Sequence, residues 1–207
     1  MNDELDIELT SRYPVVYPPI SNSGLHGFEC GSGWFHLLDA TGCLIQRRMD
    51  AAKSEPFVAH QIKEKFGELR VYYSHGDAYV SAVIDVIEGL SGRFCEICGD
   101  RGEIHEDQGW LSTRCARHLG TSAGKTVQRE GQEAPQTGAS PLHSPSIADV
   151  IDSALSLFGG NPTHVIGWYT RQAHALGGIA PVDLLNHPAG RAQLLRLIGQ
   201  IEHGVYT

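Results

Sequence analysis

The sequence predicts an α+β module at the start of the chain, followed by a small all-α module. Residues 1–120 mix helical and strand periodicity, whereas residues 146–207 show helical periodicity throughout. The intervening residues 121–145 are rich in Gly, Ser, Thr, Gln and Pro and contain too little apolar surface to offset the entropy cost of ordering them. We therefore expect a flexible linker between two modules.

Composition places the chain among folded proteins without a membrane span. Its 207 residues are 41% hydrophobic and 19% charged. No apolar stretch reaches the roughly 18–20 residues that cross a bilayer, and the acidic first residues lack the pattern of an export signal. We expect a cytoplasmic protein. The net charge is −8, and residues 1–120 carry 11 basic against 18 acidic side chains, which argues against nucleic acid binding.

The first half of the α+β module is predicted to contain an extended segment and a helix. Residues 13–20 include three prolines, which disfavour regular helix and favour extended backbone. Apolar side chains recur at helical spacing from Trp34 to Ile45, so a helix is expected near residues 34–48.

The second half of this module is predicted to contain a hairpin and a further helix. Alternating side chains from Leu69 to Tyr73 indicate a strand, and Gly67 is placed at the turn from a preceding strand that ends at Phe66. Asp77 is expected to cap a helix. The inner face of that helix is formed by Val80, Val83, Ile84, Ile87 and Leu90.

The second module is predicted to consist of helices with clear start and stop signals. Ser146 is expected to cap the first helix, which Gly159 and Gly160 end, and Asn161 to cap the second, which Gly177 and Gly178 end. A short turn of helix starts at residue 181, and the last helix runs over 188–203. Gly204 is its expected stop.

Two pairs of metal-ligating residues lie near the end of the first module. Cys95 and Cys98 are separated by two residues, as are Cys115 and His118, and sixteen residues lie between the pairs. Two residues between ligands allow a tight turn to direct both side chains at one ion, and this spacing is typical of a closed tetrahedral Zn²⁺ site. The sequence therefore predicts a structural zinc site, which makes the first module an α+β zinc-binding module. A hairpin with arms at 103–105 and 111–113 is expected between the pairs.

The identity of the fourth ligand and the roles of the remaining cysteines and flanking arginines leave some alternatives open. His105 is a weaker candidate than His118 for the fourth ligand, because it lacks the paired spacing. Cys30 and Cys43 have no partner pair and are interpreted as buried thiols rather than as a second metal site. The charge of the three thiolates is expected to be offset by flanking arginines, namely Arg93, Arg101, Arg114 and Arg117.

The second module carries a dispersed series of characteristic residues. The series consists of Trp168, Tyr169, Leu176, Gly177, Gly178, Pro181, Leu184, Leu185, Gly190, Gly204, Val205 and Tyr206. It resembles the toxin-binding domain of the Xre/MbcA/ParS-type antitoxins, in which a Leu-Gly-Gly turn precedes a Leu-Leu pair and the last helix ends in a Gly-Val-aromatic tail. The resemblance covers about residues 146–207.

This resemblance implies a partner protein. Members of the family neutralise cognate toxins, often of the RES class, which destroys NAD, and their C-terminal end approaches the active-site cleft of the toxin. A chain end with an apolar side chain, a tyrosine and a terminal carboxylate would suit such a cleft. The alternative is that Tyr206 folds back onto its own module. The candidate partner-binding residues are Glu202, His203, Gly204, Val205, Tyr206 and Thr207.

The first module departs from the family pattern. Antitoxins of this type usually carry an N-terminal helix-turn-helix that binds promoter DNA, and residues 1–120 do not follow that pattern. This part of the chain is instead similar to uncharacterised bacterial and phage proteins, and the similarity implies no activity. The motifs that carry it are Trp34-Phe35 with Leu37-Leu38, Lys63 to Tyr73, Cys95 to Gly99 and Gly109 to His118.

The preferred hypothesis is therefore an antitoxin-like protein that is not an enzyme. In the alternative, the zinc module recognises nucleic acid or another protein, and the helical module forms homo-oligomers, since about sixty residues is close to the lower limit for independent folding. Enzymatic activity is the third hypothesis. His60, His75 and the Lys63-Glu64-Lys65 run form no recognised nucleophile–base pair or carboxylate dyad in the sequence.

Overall fold

The computed structural model describes residues 1–18, 27–51, 57–120 and 144–205. The helices within these ranges are α1 (Asp3–Arg12), α2 (Phe35–Ala51), α3 (Ala78–Ser91), α4 (Ile147–Leu157), α5 (Pro162–Thr170) and α6 (Pro188–Glu202). The strands are β1 (Phe28–Glu29), β2 (Val58–Lys65), β3 (Glu68–Ser74), β4 (Glu103–Asp107) and β5 (Trp110–Arg114). Short 3₁₀ turns cover Ser32–Trp34, Ala116–His118, His174–Leu176 and Pro181–Leu184. This order confirms the predicted fold class, and none of the helices described is long and apolar enough to span a membrane.

The first module is built on a three-stranded sheet with the order β1-β2-β3. β1 runs parallel to β2, and β2 and β3 form the antiparallel hairpin that the sequence predicts, with Phe66 and Gly67 at its turn. The side chains of Leu69 and Val71 are buried beneath α3. The Asp77 carboxylate accepts a hydrogen bond of 3.0 Å from the backbone N–H of Val80, which confirms the predicted cap of that helix.

The start of the chain differs from the prediction. The backbone N–H of Tyr17 donates to the carbonyl oxygen of Tyr13 at 2.8 Å, so that residues 14–17 form a turn rather than an extended segment. Val16 and Tyr17 are fully buried, and the Tyr17 hydroxyl donates to the Leu38 carbonyl oxygen. Burial of these two side chains therefore decides the backbone, since proline is compatible with turns as well as extended chain. The last two residues of the predicted segment, 19 and 20, lie outside the described ranges.

The second helix of the C-terminal module is shorter than predicted. The chain leaves α5 at Arg171, whose backbone is extended, and not at the two glycines. Ala173 and Ile179 then form an isolated antiparallel bridge. Gly177 and Gly178 both have positive φ and form the turn inside this bridge. These glycines therefore close a loop rather than stop a helix.

The two predicted modules pack against each other and share one continuous hydrophobic core. α4 lies against α2, and α5 lies against α3. Polar contacts surround this packing: Arg47 pairs with Asp149 at 3.0 Å, and the Tyr79 hydroxyl donates to Asp152 at 2.6 Å. The division of the chain into separate domains stays a prediction, and residues 121–143 of the expected linker lie outside the described ranges.

The Asp149 carboxylate lies at the start of α4 and serves both the helix and the contact between the modules. It accepts hydrogen bonds from the backbone and hydroxyl of Ser146, which completes the cap predicted there, and it faces Arg47. Burial opposes ionisation of this carboxyl, but these hydrogen bonds outweigh burial, so that its pKa lies below the ordinary 3.8. The resulting stability is present at neutral pH and is lost as the pH falls through the folded-state pKa.

We expect Asp149→Asn to lower the free energy of unfolding by about 0.5–1 kcal/mol at pH 7, a modest loss because the ion pair is partly exposed. The difference from the wild type should disappear near pH 2, where the wild-type carboxyl is protonated. Urea unfolding at several pH values measures both quantities. Asp107→Asn, on the exposed β4–β5 hairpin, is the matched control, and a loss equal in both variants would contradict the role given to Asp149.

Candidate functional site

The structure brings the four predicted metal ligands together. The three thiol sulfurs of Cys95, Cys98 and Cys115 and a ring nitrogen of His118 all lie within 4.8 Å of one another. The Sγ atoms of Cys98 and Cys115 are 3.7 Å apart, and Nδ1 of His118 lies 3.5 Å from Sγ of Cys95 and 3.2 Å from Sγ of Cys115. A tetrahedral zinc ion with ordinary bond lengths separates two sulfurs by about 3.8 Å and a sulfur and a nitrogen by about 3.6 Å. The three separations are compatible with four side chains binding one tetrahedral metal ion such as Zn²⁺.

Local backbone geometry explains how the first ligand pair is formed. The backbone N–H of Gly99 donates to the Cys95 carbonyl oxygen, and the N–H of Cys95 donates to the Asp100 carbonyl oxygen, both at 2.7 Å. Gly99 has φ +78°, which strongly favours glycine, and a Cβ there would meet the carbonyl oxygen of Gly33 at 2.8 Å. The turn thus directs Cys95 and Cys98 toward the same point. We call residues 94–118 the knuckle.

A buried ion pair joins the two ligand turns of the knuckle. Glu96 follows the first ligand and Arg114 precedes the third, and their side chains pair at 2.7 Å with about 6% of each exposed. The backbone N–H of Glu96 also donates to the Thr113 carbonyl oxygen at 3.0 Å. Removing one partner would leave a charge buried without its counter-charge, which is costly. This pair therefore keeps the ligand turns adjacent.

The knuckle is fixed to the rest of the first module by the segment before α2. The indole N–H of Trp34 donates to the Phe94 carbonyl oxygen at 2.8 Å. The backbone N–H of Gly31 donates to the Glu96 carboxylate, and that of Gly33 to the Glu96 carbonyl oxygen. These bonds make the knuckle part of the core rather than an appended loop.

The four flanking arginines do not act as one group around the ligands. Arg117 pairs with Asp100 and lies 4.0 Å from the Cys98 sulfur, as expected for a donor that offsets thiolate charge. Arg114 instead pairs with Glu96, and Arg101 pairs with Asp183 of the second module. The prediction was wrong for these two, because carboxylates distant in the sequence are brought beside them. Arg93 lines a crevice between the knuckle and the second module.

The environments of Cys98 and Cys115 shift the pKa values of their thiols in opposite directions. Burial raises the pKa of the Cys98 thiol to about 12. Burial acts in the same direction on Cys115, but hydrogen bonds from the Cys98 thiol and from the backbone of Arg117 outweigh it and lower its pKa. A metal ion must therefore displace protons to bind, which makes its affinity fall in acid.

The other candidate residues lie away from the metal cluster. His105 is on β4 opposite Ser112, and the described cluster contains His118 in its place. Cys30 is buried, Cys43 is half-buried, and both are free thiols. The His60 ring lies 2.9 Å from the Ser74 hydroxyl in the β2–β3 hairpin. Among the residues described, Cys95, Cys98, Cys115 and His118 form the metal-ligand cluster, which leaves Cys30 and Cys43 outside it.

The C-terminal end of α6 presents part of the predicted partner-binding segment to solvent. Gly204 has φ +68°, and its N–H donates to the Ile201 carbonyl oxygen. The N–H of Val205 donates to the Gln200 carbonyl oxygen. This is a Schellman motif, and it confirms Gly204 as the helix stop. Glu202, His203, Gly204 and Val205 are all exposed, the last by 52%. Tyr206 and Thr207 lie outside the described residues.

The knuckle contacts the second module directly. The side-chain amide of Asn186 donates to the Gly99 carbonyl oxygen at 2.7 Å, and Arg101 pairs with Asp183 at 2.9 Å. These partners are 87 and 82 residues apart in the sequence. No local pattern could have revealed them.

Comparison with known proteins supports the interpretation of the second module. Residues 153–204 match the sequence model of the antitoxin Xre/MbcA/ParS C-terminal toxin-binding domain. Proteins named "Antitoxin Xre" from Yersinia enterocolitica and Photorhabdus laumondii are 38% and 36% identical to this chain over 58 residues. The resemblance seen in the sequence is confirmed for this part of the chain.

The similarities to the antitoxins cover only part of this chain and part of each relative. The matched region is 28% of this chain and 39% of each relative, so the chain spans well under half the length of the curated relatives it matches. No solved structure matches the chain. The similarity of the first module to bacterial and phage proteins stays a prediction.

We expect Cys98→Ser to lose bound metal and to lower the thermal unfolding midpoint by about 5–10 °C, a limited loss because most of the hydrophobic core lies outside the knuckle. Metal analysis of the purified protein and thermal unfolding measure the two effects. Cys43→Ser, which also changes a half-buried thiol, should retain about one zinc per chain. A wild-type protein without stoichiometric metal would contradict the assignment.

Proposed function

We propose that this chain is an antitoxin-type protein that binds and neutralises a partner toxin through its C-terminal helical module. The observation that carries the proposal is the match of residues 153–204 to a toxin-binding domain, together with relatives named as antitoxins. The proposed activity is binding and not catalysis, and the proposed location is the cytoplasm. The preferred partner is a toxin of the NAD-degrading RES class.

The exposed end of α6 is the proposed contact surface. The Schellman motif holds Gly204 and Val205 in a fixed position beyond the helix, and the Val205 side chain is half exposed. An apolar side chain presented at a rigid helix end gives contact area without a large ordering cost. Glu202 to Thr207 would together enter the partner's cleft.

The proposed role of the knuckle is to bind one structural Zn²⁺ ion. Its ligand set is closed, and it fixes the fold around Cys95 and Cys115 rather than supplying a reactive site. Binding of nucleic acid is not favoured by the structure, because Arg101, Arg114 and Arg117 are neutralised by carboxylates.

Co-expression with the toxin encoded beside this chain's gene tests the proposal. The wild-type chain should restore growth and co-purify with the toxin. We expect Val205→Asp to weaken binding at least about 10-fold, because it places a charge at the centre of an apolar contact. Calorimetry on the purified proteins measures the affinity.

Val15→Asp is the matched control for this variant. Val15 is also a valine exposed by about half, at 47%, but it lies in the first module. This variant should neutralise the toxin as the wild type does. Failure of the wild type to bind the toxin, or equal affinity for Val205→Asp, would overturn the proposed surface.

A further inference from the structure

The knuckle and the toxin-binding module meet at one small interface. The knuckle contributes Gly99 and Arg101, and the second module contributes Asp183 and Asn186. A crevice beside these contacts is lined by Phe94 on one side and by Val182 and His187 on the other. The interface is therefore formed by the metal-ligand turn and by the segment that leads into α6.

On the knuckle side, the contact atoms depend directly on the metal ligands. Gly99 follows Cys98, and its carbonyl oxygen is part of the turn between residues 95 and 100. Two hydrogen bonds close this turn, one to the Cys95 carbonyl oxygen and one from the Cys95 N–H. Binding of one ion by Cys95 and Cys98 fixes this turn from both ends. Loss of the ion removes the only cross-link between the Cys95 and Cys98 side chains that this proposal provides. The Gly99 oxygen and Arg101 are then held by backbone hydrogen bonds, including that from the Gly102 N–H to the Arg93 carbonyl oxygen, and by the Asp100–Arg117 ion pair.

On the other side, the contacts control the start of α6. Asn186 precedes the helix by two residues, and the guanidinium of Arg191 in its first turn donates to the Leu185 carbonyl oxygen at 2.8 Å. The helix contains 15 residues and is one continuous rod. Its length is about 22 Å, so a tilt of about 10° at its start would displace the far end by about 4 Å.

We infer that Zn²⁺ binding at the knuckle and partner binding at the end of α6 are coupled, with Asn186–Gly99 and Asp183–Arg101 as the contacts that transmit the coupling. The coupling implies that the metal-loaded chain binds the toxin more tightly than the metal-free chain. This part of the inference rests on the proposed function. Coupling free energy is reciprocal, so disrupting the interface must also weaken zinc binding. The contacts are partly exposed, and the expected coupling is therefore modest.

Hydrogen–deuterium exchange on the full chain tests the coupling without a toxin. The probes are the zinc-loaded protein and the protein stripped with a chelator. In the wild type, stripping should raise amide exchange about 3- to 10-fold in residues 181–191, as well as in the knuckle. In Asn186→Ala, exchange in 181–191 should already be raised in the loaded protein and should rise less on stripping than in the wild type, because only the Asp183–Arg101 contact remains.

A second measurement uses the zinc affinity itself. Competition with a chromophoric chelator should show Asn186→Ala binding zinc about 2- to 10-fold more weakly than the wild type, as expected for loss of a single hydrogen bond. Gln193→Ala is the matched control, because Gln193 is an exposed polar side chain on the same helix. It should leave both the exchange and the affinity unchanged.

Three results would overturn the inference. One is faster exchange in the stripped knuckle with no change in 181–191. Another is an equal rise across the whole chain including α2, which would make the metal a general requirement for folding. The third is an unchanged zinc affinity in Asn186→Ala.

The toxin-binding experiment separates this inference from the proposed function. If the zinc-loaded chain does not bind the toxin, the proposed function fails while the exchange results stand. If the loaded and stripped chains bind the toxin equally well, the coupling fails while the proposed function stands.

Discussion

Burial of the apolar faces of α4 and α5 against α2 and α3 is the interaction on which the rest of the structure depends. About sixty residues of helical chain is close to the lower limit for independent folding. Here the first module supplies additional apolar surface, and buried side chains from both modules form one core. This packing places the segment before α6 against the knuckle, where direct polar contacts form.

The metal-ligand cluster is held by tertiary contacts as well as by its own turns. The Glu96–Arg114 ion pair joins the two halves of the knuckle, and Trp34 attaches it to the start of α2. A buried ion pair contributes little net stability, but removing one partner is costly, so the two halves of the knuckle are not easily separated. The contacts of the first module therefore help to bring the four candidate ligands together.

The second module resembles a toxin-binding domain, and in this chain it packs against the knuckle of the first module. The family match covers residues 153–204, which include Asp183 and Asn186, whereas the knuckle that these residues contact lies outside it. The exposed end of α6 and the metal cluster lie at opposite ends of one helix and its leading segment. This arrangement links the candidate metal site to the proposed partner surface through one helix and the residues that precede it.

The sequence by itself determined the features that depend on neighbours a few residues away. The ligand pairs, the Asp77, Ser146 and Asn161 caps, the hairpin turn at Gly67 and the stop at Gly204 all follow from local geometry. Only the tertiary structure decided the turn at Tyr17 and the partners of Arg101, Arg114 and Asn186. Each of these is set by burial or by a contact with residues distant in the chain, and periodicity and spacing carry no information about such contacts.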